Sequence, residues 1–262
     1  MDLDLTGKHA LVCGASQGIG RAAAIELAQL GAHVTVLSRS REALEIVLAE
    51  LPKIHAAQAH ALVAADMNDH PILRASVEDI ANTKPVQIFV NNSGGPPSGP
   101  AHTATLDDYR IAFNQHLMGA QIILQALLPG MRGSGYGRVI NVISTSVKEP
   151  IRNLGVSNTI RAAVASWAKT LSSELGGFGI TVNNVLPGYT KTQRLAQILG
   201  DRATATGKDE DTVAKGMLAT VPAGRFAEPA EIGAVIAFLA SPAASYINGI
   251  NVPVDGGRMQ SL

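Results

Sequence analysis

A junction of strand and helix rich in glycine constrains this chain more than any other stretch. The apolar run Ala10–Val12 stops at Gly14. After Gly20 the residues Ala22, Ala23, Ile25, Leu27, Ala28 and Leu30 keep a helical rhythm until Gly31. Gly14, Gly18 and Gly20 thus mark a tight turn from a buried strand into a helix, with Ser16, Gln17 and Ile19 between them. A helix start carries unpaired N–H groups and the positive end of the helix dipole. Glycine lets the main chain come close to an anion there, so such a turn suits a phosphate. The spacing G-x-x-x-G-x-G departs from the commoner G-x-G-x-x-G, and alone it also fits an ordinary strand–helix connection.

The chain has 262 residues, 46% of them hydrophobic, enough for one sizeable core. Lys plus Arg and Asp plus Glu number 21 each, so nothing points to nucleic acid. A net charge of zero removes one barrier to self-association. The lone cysteine, Cys13, excludes an internal disulfide. The first residues lack the pattern of a signal peptide, and no apolar run suits a membrane span. These features give the expectation of a soluble, cytoplasmic protein, and no residue is assigned to a metal.

Apolar runs recur at 10–12, 33–37, 61–64, 86–90, 138–143, 180–186 and 249–254. Helical patterns lie between them at 21–30, 41–50, 72–82, 106–131, 158–175 and 229–240. That alternation predicts an α/β fold: a Rossmann-type, doubly wound parallel sheet of about seven strands with helices on both faces. The whole chain reads as one dinucleotide-binding unit. The glycine turn, Asn91–Gly95, Ser144 and Pro187–Gly188 all fall at strand ends, so they converge on one edge of the sheet. The stretch 193–220, within a region of about 190–222, breaks the rhythm and reads as a substrate lid or as a surface insertion.

Assembled in this order, the motifs resemble the short-chain dehydrogenase/reductase family, over nearly the whole chain. They are the glycine turn, Asp66, Asn91-Asn92-Ser93-Gly94, Ser144, Pro187-Gly188 to Thr192, and Val254-Asp255-Gly256-Gly257. The layout is similar to that of 3-oxoacyl-acyl-carrier-protein reductases. The resemblance implies hydride transfer to or from a small carbonyl, alcohol or acyl-thioester, in a homotetramer or homodimer built through the long helices. It also implies a catalytic tetrad, of which only Ser144 is present. Ser157 stands where the family has tyrosine, Arg161 where it has lysine, and His116 where it has asparagine.

The departure matters because an alkoxide formed by hydride transfer needs a proton donor. A phenol of pKa about 10 can be tuned toward neutrality by a nearby cation, whereas an alkyl hydroxyl is far weaker and shorter. Arginine stays protonated and cannot relay a proton, although it can bind ribose hydroxyls. Ser157 equally reads as a helix N-cap, and His116 reads as a hydrogen-bonded core histidine or the start of a water path. Tyr189 and Lys148 are the other acids near the expected cleft.

The second strand ends Ser38-Arg39-Ser40 with no acidic residue to take ribose hydroxyls. Arg39, with Ser16, Ser38 and Ser40, suits a 2′-phosphate, which favours NADP(H) over NAD(H). By resemblance Asp66 and Met67 meet adenine, and Asn92 and Gly94 line the cofactor channel. Pro187, Gly188, Thr190 and Thr192 meet the nicotinamide and diphosphate. The expected activity is an NADP(H)-dependent oxidoreductase. The alternative is a nucleotide-binding sensor or partner subunit that has lost catalysis.

Overall fold

The computed structural model describes residues 1–261. Seven parallel strands form one sheet in the order β3-β2-β1-β4-β5-β6-β7. They are β1 (His9–Cys13), β2 (His33–Ser38), β3 (His60–Ala64), β4 (Ile88–Asn91), β5 (Gly137–Val142), β6 (Ile180–Pro187) and β7 (Asn251–Val254). Strand order reverses between β1 and β4, the place where an open parallel sheet leaves a crevice at its carboxyl edge.

Every residue of β1 is buried because both faces are covered. Ala10 and Val12 enter one core, while Leu11 and Cys13 enter the other. The first core seats α1 (Gly18–Gln29), α2 (Arg41–Glu50) and α9 (Pro229–Ala240), through residues such as Leu27, Leu44 and Ile236. The opposite core seats α3 (His70–Thr83), α5 (Gly119–Ser134) and α6 (Gly155–Leu175), through Leu73, Ile123 and Ala168. Cys13 is wholly buried there, which pushes its thiol pKa up to about 12 and leaves it a small apolar side chain.

A chain of side-chain amides crosses half of the sheet. Asn91 donates to Asn141 at 2.9 Å, Asn141 to Asn184 at 3.0 Å, and Asn184 to Asn251 at 2.8 Å. These four asparagines occupy paired register positions on β4 to β7. A slip of one residue would leave buried amides without partners, so the ladder fixes register as well as satisfying itself.

Three expectations need correction. The helix expected at 106–131 is α4 (Leu106–Phe113), a π turn Asn114–Met118, and then α5. Helix α6 begins at Gly155 with Leu154 as its N-cap, so Ser157 lies inside the first turn and caps nothing. The irregular stretch after β6 forms two helices, α7 (Gln193–Thr206) and α8 (Glu210–Leu218), each opened by a side-chain cap from Thr192 or Asp209. Among the described residues no helix is long and apolar enough to cross a membrane.

Candidate active site

A cleft of about 780 Å³ lies at the carboxyl edge of the sheet, over the switch between β1 and β4. The candidate catalytic and cofactor-binding residues line it except Gly20 and His116, while Asn91, Lys148 and the 254–257 motif also lie off its wall.

The glycine turn owes its shape to three different constraints. Gly14 and Gly18 take φ of +59° and +56°, backbone open mainly to glycine. Gly20 lies beneath the turn, where a Cβ would stand 2.2 Å from the carbonyl oxygen of Gly14. The lack of a side chain at Gly20 therefore lets α1 seat against the turn after β1. Asn92, at the end of β4, donates through Nδ2 to the carbonyls of Cys13 and Gly14 at 3.3 and 3.2 Å. Helix α1 has no side-chain cap and no acidic residue in its first turn, so its N–H groups face the cleft. Gln17 donates to Gln193 at 2.8 Å, joining the turn to α7.

At the end of β2, Ser38 Oγ is buried with no hydrogen-bond partner. Arg39 is exposed and forms no ion pair among the described residues. Ser40, expected as a free donor, is committed elsewhere: it accepts from Ala43 N as the cap of α2 and donates to Glu42. Asp66 and Met67, after β3, close that side of the cleft.

The other half gathers Ser144, Ser157, Arg161 and the Pro187–Thr192 segment. Ser144 Oγ accepts from Ser146 N at 3.1 Å, which leaves its proton free to donate. Ser157 is 8% and Arg161 9% exposed, one turn apart on the face of α6 that lines the cleft. Arg161 donates through Nη1 to the carbonyl of Val142 at 2.7 Å, and its Nε is buried without a partner. Burial, then the nearby charge of Arg194, lowers its pKa to about 10, so the guanidinium remains charged at neutral pH.

His116 stands behind this wall, in the π turn, with Nδ1 2.6 Å from Ser93 Oγ. Burial and then the charge of Arg161 hold its pKa well below 6.5, so the imidazole is neutral. It is a hydrogen-bonded core histidine whose Nε2 is left without a partner. Tyr189 is the one tyrosine on the cleft wall, packed edge-on to Phe226 and beneath the Arg258 guanidinium at 4.7 Å. Sequence reasoning passed over Arg194, which reaches the cleft from the first turn of α7. Nothing in its local pattern separates it from a solvated charge.

The family model described as enoyl-(acyl carrier protein) reductase matches residues 14–258. A 3-oxoacyl-acyl-carrier-protein reductase of Pseudomonas aeruginosa is 32% identical over 99% of this chain and all of its own. The uncharacterized oxidoreductase YvrD of Bacillus subtilis is also 32% identical, over the full length of both. The structure of L-sorbose reductase from Gluconobacter frateurii, complexed with NADPH and L-sorbose, superposes over both whole chains with a TM-score of 0.92 at 29% identity. The matched family model runs from the glycine turn past the last strand, and full-length relatives reach 32% identity, so this chain belongs to the short-chain dehydrogenase/reductase family of oxidoreductases.

Proposed function

We propose that the protein is an NADP(H)-dependent oxidoreductase that interconverts a small carbonyl compound and its alcohol. One observation carries this reading: the cleft joins an uncapped helix start to an unpaired Arg39 beside the orphaned Ser38 hydroxyl. The N–H groups of α1, with Gly14 to Ile19 and Thr192, suit a diphosphate, and Arg39 suits a 2′-phosphate. In this reading Asp66 and Met67 meet the adenine side, and Asn92, Gly94, Arg161, Pro187, Gly188 and Thr190 meet the nicotinamide side. The sensor alternative finds no support among these relatives, which carry the names of reductases and an oxidoreductase.

When bound, NADPH supplies a hydride to the carbonyl carbon. Ser144 then donates its free hydrogen bond to the carbonyl oxygen, and Arg161 keeps a positive potential beside the developing oxyanion. Water entering the cleft provides the proton, because Ser157 has neither the acidity nor the reach of a phenol. Helices α7 and α8 act as the lid of this cleft, with Leu195 and Ile198 on its wall.

A titration tests the cofactor assignment. NADPH binds about 10- to 100-fold more tightly than NADH, the effect of one charge-assisted contact to phosphate. Arg39→Asp removes or reverses that difference while leaving NADH affinity within a few-fold. Equal wild-type affinities would refute the role of Arg39.

The protein further assembles as a homo-oligomer through α4 and the turn after it. Leu106, Ile111, Phe113 and Met118 there are 88%, 52%, 39% and 40% exposed, a run of apolar side chains on one segment. Light scattering therefore finds a dimer or tetramer. Phe113→Asp raises its dissociation constant by about two orders of magnitude. A monomeric wild type would contradict this assembly.

A further inference from the structure

The half of the cleft that receives the substrate carries two cations and no acid. Asp66 is the one acidic residue on the cleft wall among the described residues, and it follows β3 at the opposite side. Arg161 and Arg194 both line the cleft, near enough for the charge of Arg194 to act on Arg161, and neither forms an ion pair among the described residues. Arg161 is nine-tenths buried, with Nε unpartnered. Two like charges kept together in a partly desolvated pocket repel, and an anion bound at Arg194 relieves that cost.

Arg194 is also built into a clasp. Its Nη2 donates to the carbonyl of Pro96 at 2.6 Å, and its Nη1 to Gln197 Oε1 at 3.0 Å. These bonds hold the guanidinium across the gap between the loop after β4 and helix α7. Gly95 leaves the edge of that guanidinium clear, since a Cβ there would stand 3.2 Å from Nε. Two of the five donors are used, so the remainder can meet the two oxygens of a carboxylate. Burial lowers the pKa of Arg194, and the charge of Asp201 partly offsets this.

We propose that the substrate is a carbonyl compound bearing a carboxylate, an oxo acid or the matching hydroxy acid, anchored by Arg194 with Arg161 behind it. The proposal rests on the oxidoreductase reading above and narrows it to a substrate class. The proposed cofactor pose commits Arg161 to the ribose side, whereas Arg194 is left for the substrate. In the reductive direction hydride passes to the carbonyl carbon, water protonates the oxygen, NADPH becomes NADP⁺, and the carboxylate is unchanged.

Paired substrates provide the test: short 2-oxo and 3-oxo acids against their methyl esters, followed by NADPH oxidation. The free acid is favoured by about 10- to 100-fold in kcat/KM, the effect of one charged hydrogen-bonded contact. Arg194→Met brings that ratio close to one with NADPH affinity within a few-fold, and Arg194→Lys restores part of it. Equal rates on acid and ester in the wild type overturn the proposal. So does an Arg194→Met variant that keeps the ratio but binds NADPH about tenfold more weakly, because Arg194 then serves the cofactor. Absence of turnover on every pair, with NADPH bound, counts against the reaction and not the anion site. Calorimetric titration of the same acids and esters into the NADP⁺ complex then decides: binding of acids over esters supports the site, and equal binding overturns it.

Discussion

Replacing Ser157 by tyrosine and Arg161 by lysine together raises the rate of carbonyl reduction by about 10²- to 10⁴-fold, the span of a well-placed general acid. Wild-type turnover on simple 3-oxoacyl thioesters is correspondingly weak. Ser157 already lines the cleft, so a phenol built there extends into open space and not into the core. It emerges one turn from residue 161, where a cation stabilises the phenolate and lowers its pKa toward neutrality. Arg161 could supply the charge, but it is held by the carbonyl of Val142 and stays protonated at neutral pH. Lysine adds what arginine lacks, a compact amine that passes its proton to water. The double variant therefore exceeds Ser157→Tyr alone, and both exceed Arg161→Lys alone. Single-turnover kinetics with NADPH separate this gain from product release. A double variant no faster than the parent, with NADPH affinity intact, would mean that another donor already serves the reaction. Tyr189, the tyrosine on the cleft wall, would then be the group to replace next.

The elements legible in the sequence are those buried on both faces. β1 and β4 read as near-continuous apolar runs, and β5 and β6 as apolar runs broken by buried polar residues, because helices cover each side of them. β3 is an edge strand, with Ala61 exposed, and its signal is accordingly faint. The site's outline was also legible, since strand ends in a doubly wound sheet must share one edge. Features set by tertiary contact were not. The π turn at Asn114–Met118 leaves no mark on an apolar rhythm, nor does the close packing of Gly119 on Met67, whose carbonyl oxygen a Cβ would approach to 2.9 Å. The pairing of asparagines at 91, 141, 184 and 251 emerges only when the register sets them side by side. Ser40 reads as a phosphate donor, yet α2 takes it as its cap. Arg194 looks like surface charge because the loop carbonyl that holds it lies at Pro96, far away in sequence.

Among single substitutions the largest loss falls on Gly20. Its neighbour is the main-chain oxygen of Gly14, 2.2 Å from where a Cβ would be, with the carbonyl carbon at 2.7 Å and Asn92 Nδ2 at 2.8 Å. The nearest two are main-chain atoms and the Asn92 amide is held by its hydrogen bonds to the turn, so Gly20→Ala must lift α1 away from the turn or open the turn itself. Either movement breaks the bonds from Asn92 that hold the Cys13 and Gly14 carbonyls and pulls the N–H groups of α1 out of line. Overpacking of this kind costs about 3 kcal/mol. Displacing the anion cradle as well weakens NADPH by about two orders of magnitude. Gly133→Ala is the matched control. Gly133 lies within α5, has no positive φ, and has nothing within 4 Å of its would-be Cβ. There the same methyl group adds about 0.5–1 kcal/mol of helix stability and leaves NADPH affinity unchanged. Thermal melts and NADPH titrations of the two variants compare one chemical change at two sites. Similar behaviour would mean that the junction of β1 and α1 tolerates a side chain, and that the cleft does not depend on this packing.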